Sequence, residues 1–161
     1  DIITEDKNNP TFIILDKLQD PGNIGTIIRT ADAAGMDGVI TMKGTVDLFS
    51  PKVVRSSMGA IFNLPIADKI DIDVLETFIK KHKINLVSTI VSDKAKPCFS
   101  VDYKTASAIV FGNEGMGISK EIDDLSDEHI FIPMFGKSES FNAASAAAMV
   151  MYEIMRQKYF D

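Results

Sequence analysis

The chain has 161 residues, 45% of them hydrophobic and 25% charged, the balance of one soluble globular domain with a single core. A formal charge of −6 and a pI near 4.9 argue against a broad electrostatic grip on nucleic acid, although a small basic patch can sit on an acidic body. No apolar run has the length of a membrane span, nothing at the N-terminus reads as a signal peptide, and the lone Cys98 excludes an internal disulfide or a cysteine metal cluster, which points to a reducing, cytoplasmic setting.

The chain opens at Asp1 rather than at a methionine, as a trimmed, processed or partial chain would, and residues 1–10 read as a leader. Thr11–Leu15 is the first of several short, apolar, β-branched runs. It is followed by Leu18–Gly35, where Ile24, Ile27, Ile28 and Ala31 share one helical face and Gly35 supplies a stop. A second strand is expected at Gly38–Thr41, a third at Phe62–Ile66. Ile72, Leu75, Phe78 and Ile79 then mark a helix, and Lys80, Lys81, His82 and Lys83 fall in its last turn, where cations suit the helix dipole. Leu86–Val91 reads as a strand and Asp93–Lys104, with Pro97, as an irregular connection. Ala108–Phe111 and Ile130–Ile132 are further strands, separated by a short acidic helix over Ser119–Leu125. The last helix runs from Asn142 to about Lys158. Strands apolar on both faces that alternate with helices predict an α/β domain, a mainly parallel sheet flanked by helices. From Ala143 to Met155 the last helix is apolar nearly all round, so it is either wedged in the core or covered on its second side by another subunit.

Three segments could carry chemistry, because each places small residues and amides just after a strand. In Asp20-Pro21-Gly22-Asn23, Pro21 and Gly22 suit a tight turn and Asn23 stands where a helix N-cap belongs. This is either a plain strand–turn–helix junction or a ligand loop. Arg29 lies off the isoleucine stripe near the helix start, and its rigid fork suits a phosphate, whereas a lone helix arginine is usually just solvated. Gly112-Asn113-Glu114-Gly115-Met116-Gly117 has its glycines in the order GxxGxG, which is not the dinucleotide fingerprint, so a nicotinamide dehydrogenase is a poor reading. A carboxylate flanked by glycines directly after a buried strand is nonetheless unusual, whereas a solvated Glu114 in a flexible turn is the plain alternative. Ser138, Ser140 and Asn142 alternate with Glu139 and Phe141 before the alanine helix, either as loop and N-cap or as a polar grip at a helix N-terminus. The two histidines, His82 and His129, are isolated and suggest neither a triad nor a metal site.

Taken together, Asn23-Ile24-Gly25 with Arg29-Thr30-Ala31, the Gly112–Gly117 segment, and Ile132-Pro133-Met134 followed by Glu139-Ser140-Phe141-Asn142 resemble the three motifs of the SpoU, or TrmH-like, RNA ribose methyltransferases of the SPOUT superfamily. Ser50–Ala60 is similar to the family's segment after the second strand, and the likeness runs from about Phe12 to Tyr159. The departures are Ala144 where many relatives have serine, and Phe141 where leucine is commoner.

The resemblance implies a deep C-terminal trefoil knot, S-adenosyl-L-methionine as cofactor and a homodimer, and the residues themselves suggest no metal. It implies catalytic roles for Asn23, Arg29, Glu114, Ser140 and Asn142, with Glu114 orienting Arg29 or the asparagines, and cofactor contacts at Gly112, Ile132 and Phe141, with Thr89 a further candidate. The implied reaction is 2′-O-methylation of an RNA ribose, in 23S ribosomal RNA or alternatively transfer RNA. A module that binds RNA without catalysis is the competing reading. Arg29, Lys43, Lys52, Arg55 and Lys137 are expected to form one basic patch near the site, across the dimer. Residues 1–161 are expected to be a single catalytic domain, with the N-terminal RNA-binding domain of many relatives missing.

Overall fold

The computed structural model describes residues 8–92 and 94–161. Most of the leader and Asp93 therefore lie outside the described residues. Seven strands, β1 (Thr11–Asp16), β2 (Gly38–Met42), β3 (Ile66–Ile70), β4 (Asn85–Thr89), β5 (Lys96–Pro97), β6 (Ser107–Gly112) and β7 (Glu128–Phe131), form one sheet in the order β3-β2-β1-β6-β4-β7-β5. Every pairing is parallel. The central strand β1 is buried along its whole length, and its alternation decides the layers. Ile13 and Leu15 point into a core shared with helices α1 (Pro21–Ala33), α2 (Pro51–Ser56) and α5 (Ala143–Phe160). Phe12 and Ile14 point to the other face, covered by α3 (Ile72–His82) and α4 (Lys120–Leu125). A parallel sheet with both faces covered is what strands without a polar face require.

The α/β architecture is as expected, with three local differences. The expected strand Phe62–Ile66 is displaced: Ala60–Phe62 is a 3-10 turn, Phe62 is exposed, and β3 starts only after Pro65. An edge strand needs no continuous apolar run, and here Asp68 and Lys69 are tied to Thr41 instead. The connection around Pro97 contains β5, a two-residue edge strand where proline's missing donor costs nothing, then a 3-10 turn at Cys98–Ser100. β4 stops at Thr89 and β7 at Phe131, so Ile90, Val91 and Ile132 leave the sheet at its C-terminal edge.

The last helix buries one side, through Ala144, Ala147, Val150, Met151, Ile154 and Gln157, and packs on α1. Met149, Tyr152 and Tyr159 remain exposed on the rest. Gln157 is buried because its amide is used: Oε1 accepts from the Tyr103 N–H at 3.0 Å and Nε2 donates to the Val101 carbonyl at 3.0 Å. Among the described residues no helix is long and apolar enough to cross a membrane.

Helices α1 and α2 meet closely at Gly25, where an added Cβ would lie 1.8 Å from Ser56 Oγ and 2.8 Å from the Val53 carbonyl. Ser56 Oγ has three carbonyls in donor reach within the same junction, that of Lys52 at 2.9 Å and those of Pro21 and Val53. Gly25→Ala should therefore destabilise the fold by about 1–3 kcal/mol in chemical denaturation. Adding Ser56→Gly should recover part of the loss, because it removes the nearest obstructing atoms but not the Val53 carbonyl.

Candidate active site

Ligand clefts in parallel α/β sheets form beyond the carboxyl ends of the strands. Here β1, β4, β6 and β7 all end at one edge, and the segments that leave them enclose an open cleft of about 2020 Å³. One wall is the turn from β1 into α1, including Gln19, Asp20 and Asn23. The floor is Thr89–Ser92 and the segment 111–118, and the far wall is Ile132, Met134 and residues 139–143.

The first two parts are fastened together. Asp16, the last residue of β1 and almost wholly buried, accepts from the Ser119 N–H at 2.6 Å. Its other oxygen, Oδ1, is buried without a hydrogen-bond partner among the described residues. Asn113 Nδ2 donates to the Lys17 carbonyl at 2.8 Å. Glu114 takes the Gln19 N–H on one oxygen at 3.2 Å and the Asp20 N–H on the other at 3.1 Å. The loop between β6 and α4 can fold back this tightly because Asn113 and Gly117 exchange backbone hydrogen bonds, each 2.9 Å. Gly112 is indispensable there: a Cβ would lie 2.3 Å from the Gly117 carbonyl carbon and the Ile118 nitrogen.

The third part is joined to the first through two asparagines. Asn142 caps α5, with Oδ1 accepting from the N–H groups of Ala144 at 2.9 Å and Ser145 at 3.2 Å. Its Nδ2 donates to Asn23 Oδ1 at 3.0 Å. Asn23 is free to do this because it is not the cap of α1. Asp20 takes that position, its carboxylate accepting from the Asn23 N–H at 2.7 Å, with Pro21 at the first helical position.

Eight of the nine residues singled out from the sequence line this cleft: Asn23, Glu114, Ser140 and Asn142, with Thr89, Gly112, Ile132 and Phe141. Arg29 does not. It stands six residues past Asn23, roughly 9 Å along α1, exposed and without a hydrogen bond or ion pair among the described residues. Glu114 does not orient Arg29 or the asparagines, since its two oxygens hold the Gln19 and Asp20 amides. The Thr89 hydroxyl is spent on the Val110 carbonyl at 2.8 Å. Of the expected basic patch, Lys43 is paired with Asp71 at 2.7 Å, outside the cleft lining. Sequence reasoning missed Asp16 and Asn113 as fasteners of the loops. An acidic residue closing an apolar strand was the available signal for Asp16. Among the described residues no three metal-ligating side chains converge.

An all-parallel sheet with a loop-built cleft at its carboxyl edge defines an α/β ligand-binding domain. The model of the SpoU rRNA Methylase family matches residues 10–152. The chain is 34% identical over 142 residues to the 23S rRNA (guanosine(2553)-2′-O)-methyltransferase RlmP of Bacillus subtilis, covering 88% of this chain and 56% of that protein. It is 38% identical over 149 residues to a putative TrmH family tRNA/rRNA methyltransferase of Staphylococcus haemolyticus, covering 92% of this chain and 59% of that one. Among solved structures, the SpoU methyltransferase AviRb from Streptomyces viridochromogenes, in complex with AdoMet, superposes with a TM-score of 0.89 at 33% identity, over 96% of this chain and 62% of that one. This chain belongs to the SpoU methylase family. It spans a little over half the length of the curated relatives it matches.

If Glu114 fastens the turn before α1, Glu114→Ala should lower hydrogen-exchange protection of the Gln19 and Asp20 amides by roughly 2- to 13-fold, the worth of about 0.5–1.5 kcal/mol per bond. Amides in β1 and β6 should keep their protection. Asn142→Ala removes the cap of α5 and should destabilise the fold by about 0.5–2 kcal/mol in thermal or chemical denaturation.

Proposed function

We propose that this chain is the catalytic domain of an S-adenosyl-L-methionine-dependent RNA methyltransferase that methylates a ribose 2′-hydroxyl, in ribosomal RNA, and works in the cytoplasm. The observation that carries this is the meeting of the three family segments in one cleft, with Asn142 bonded to Asn23 and Glu114 bonded to the turn before α1. The ribosomal substrate is favoured by the family description and by the RlmP relative, and transfer RNA is the alternative.

The cleft suits the cofactor on its own chemistry. Apolar side chains of Phe111, Ile118, Ile132 and Phe141 offer a surface for an adenine ring, and the Gly112 backbone, bare of a side chain, allows close approach. The volume exceeds the ~300–1,000 Å³ of an ordinary small-molecule pocket, which leaves room for a second reactant. When bound, S-adenosylmethionine supplies an electrophilic sulfonium methyl group. The residues of the chain then have to align the hydroxyl and manage its proton. Alignment alone can be worth on the order of 7–11 kcal/mol. Asn142 spends its oxygen on the cap and one amide N–H on Asn23, so it fixes Asn23, whose Nδ2 is left to hold the ribose. Ser140, exposed in the cleft wall, offers a hydroxyl to the same sugar. Arg29, standing outside the lining, is assigned to the RNA backbone: its fork suits a phosphate, and its charge favours the hydroxyl oxygen as the proton passes to solvent water in the open cleft. A guanidinium keeps its proton at neutral pH, which disfavours a role as simple base.

We also propose that the segment between β7 and α5 is threaded as in a trefoil knot and that a second copy covers Met149 and Tyr152 of α5. The first is supported by the return of the chain from β7, near the sheet edge, to Asn23. The second is supported by the apolar side chains left exposed on that helix.

Calorimetry with S-adenosylmethionine, then methyl transfer to ribosomal and transfer RNA with nucleoside analysis of the product, tests the reading. A 2′-O-methylated nucleoside is expected. Cofactor binding without transfer to any RNA would favour a non-catalytic binding module, and a base-methylated product would exclude the ribose chemistry. Arg29→Lys keeps the charge but loses the fork, and is expected to lower kcat/KM by at least ~10-fold with cofactor affinity unchanged. Near-full turnover would remove the bidentate role.

A further inference from the structure

The cleft margin continues onto an outer flank that the site does not use. Ser56 Oγ of α2 lies 3.2 Å from the Pro21 carbonyl, and Pro21 lines the cleft. Beyond it, Lys52 and Arg55 stand three residues apart on the exposed side of α2, opposite the buried Val53. Phe49 before the helix and Met58 and Phe62 after it are 60%, 72% and 74% exposed. The 3-10 turn ending at Phe62 is tied to α1, because Asn63 Nδ2 donates to Asp32 Oδ2 at 3.2 Å, one turn past Arg29. Arg29 therefore borders the same flank. Among the described residues Arg29, Lys52 and Arg55 form no ion pair, although the chain carries 23 acidic residues against 17 basic ones. Two carboxylates stand nearby and keep their charge, Asp32 bonded to Asn63 and Asp47 bonded to the Phe49 N–H at 3.0 Å, and neither is ion-paired with these three cations.

We propose that this flank is the RNA-docking surface of the chain and that it holds an unpaired stretch of RNA, with Lys52 and Arg55 on phosphates and Phe62 and Phe49 under bases. The inference rests on the RNA-methylating reading and adds where the substrate lies and in what form. Exposed aromatic side chains beside unpaired cations serve a single strand, whose bases are free to stack. A duplex offers only its backbone to such a surface. A second copy of the chain is the poorer occupant, because a two-fold interface would set this cationic patch against itself. A chain of net charge −6 repels a polyanion over most of its surface, so its contacts have to be local and rich in stacking.

The test is fluorescence anisotropy of the whole chain with a short oligouridine and with an RNA duplex of equal length, across a salt series, alongside light scattering and calorimetry with S-adenosylmethionine. The wild type is expected to prefer the single strand. Phe62→Ala should weaken that binding roughly 5- to 150-fold, the range of one lost base stack. Lys52→Gln and Arg55→Gln should each lower the salt slope by roughly 0.7. None of the three should change cofactor affinity. If the wild type binds RNA and the variants bind it with the same affinity and slope, the surface is wrong while the functional reading stands. If Phe62→Ala instead turns a dimer into a monomer at unchanged RNA affinity, the flank is an interface between copies. If the wild type neither binds nor methylates RNA, the parent reading fails together with this one.

Discussion

The buried carboxylate of Asp16 and the exposed one of Glu114 do the same thing from opposite ends: each takes backbone N–H groups from across the β1–β6 seam. Strands β1 and β6 are adjacent and in register from Thr11 with Ser107 to Asp16 with Gly112. Beyond that last pair the two chains diverge, one into α1 and the other into the glycine loop. Backbone groups at such a fork have no ladder to bond to, and orphaned donors are costly. Asp16, Asn113 and Glu114 satisfy them with side chains, and so hold two loops distant in sequence at a fixed separation. The cleft exists because the fork is held open.

The same logic explains the glycine order in Gly112-Asn113-Glu114-Gly115-Met116-Gly117. A dinucleotide loop uses its glycines to approach a pyrophosphate. Here Gly112 is needed against the chain itself, where the returning Gly117–Ile118 backbone leaves no room for a Cβ. Asn113 then caps the turn internally, accepting from the N–H groups of Gly115 and Met116 while its amide reaches Lys17. A loop whose composition reads as a flexible turn is thus a folded unit, and Glu114 projects from it at a set position.

Helices α1 and α5 start side by side at the cleft, and their first turns are wired together through Asn23 and Asn142. The capping arrangement makes this possible. With Asp20 as the cap of α1, the Asn23 side chain is released from capping and becomes a partner for the cap of α5. Arg29, six residues further along α1, is exposed and outside the cleft lining.

Much of this could be read from the residues in order. Apolar runs such as Thr11–Leu15 and Ala108–Phe111 have no polar face, and only a sheet covered on both sides accommodates them, so local composition alone determined the parallel α/β class. Eight of the nine chosen site residues lie in the cleft because motif segments carry their own turn chemistry, which is local and therefore visible. What stayed hidden depends on partners far along the chain. The edge strand β3 is specified by pairing with β2 and not by its own hydrophobicity, so Phe62–Ile66 misled. The bonding of Glu114 to Gln19 and Asp20, and of Asp16 to Ser119, spans about a hundred residues, and no spacing rule reaches that far. The sequence by itself determined which residue types would line a strand-end cleft. Only the tertiary structure decided which hydrogen bonds each would make, because a side chain's partner is chosen by packing in space.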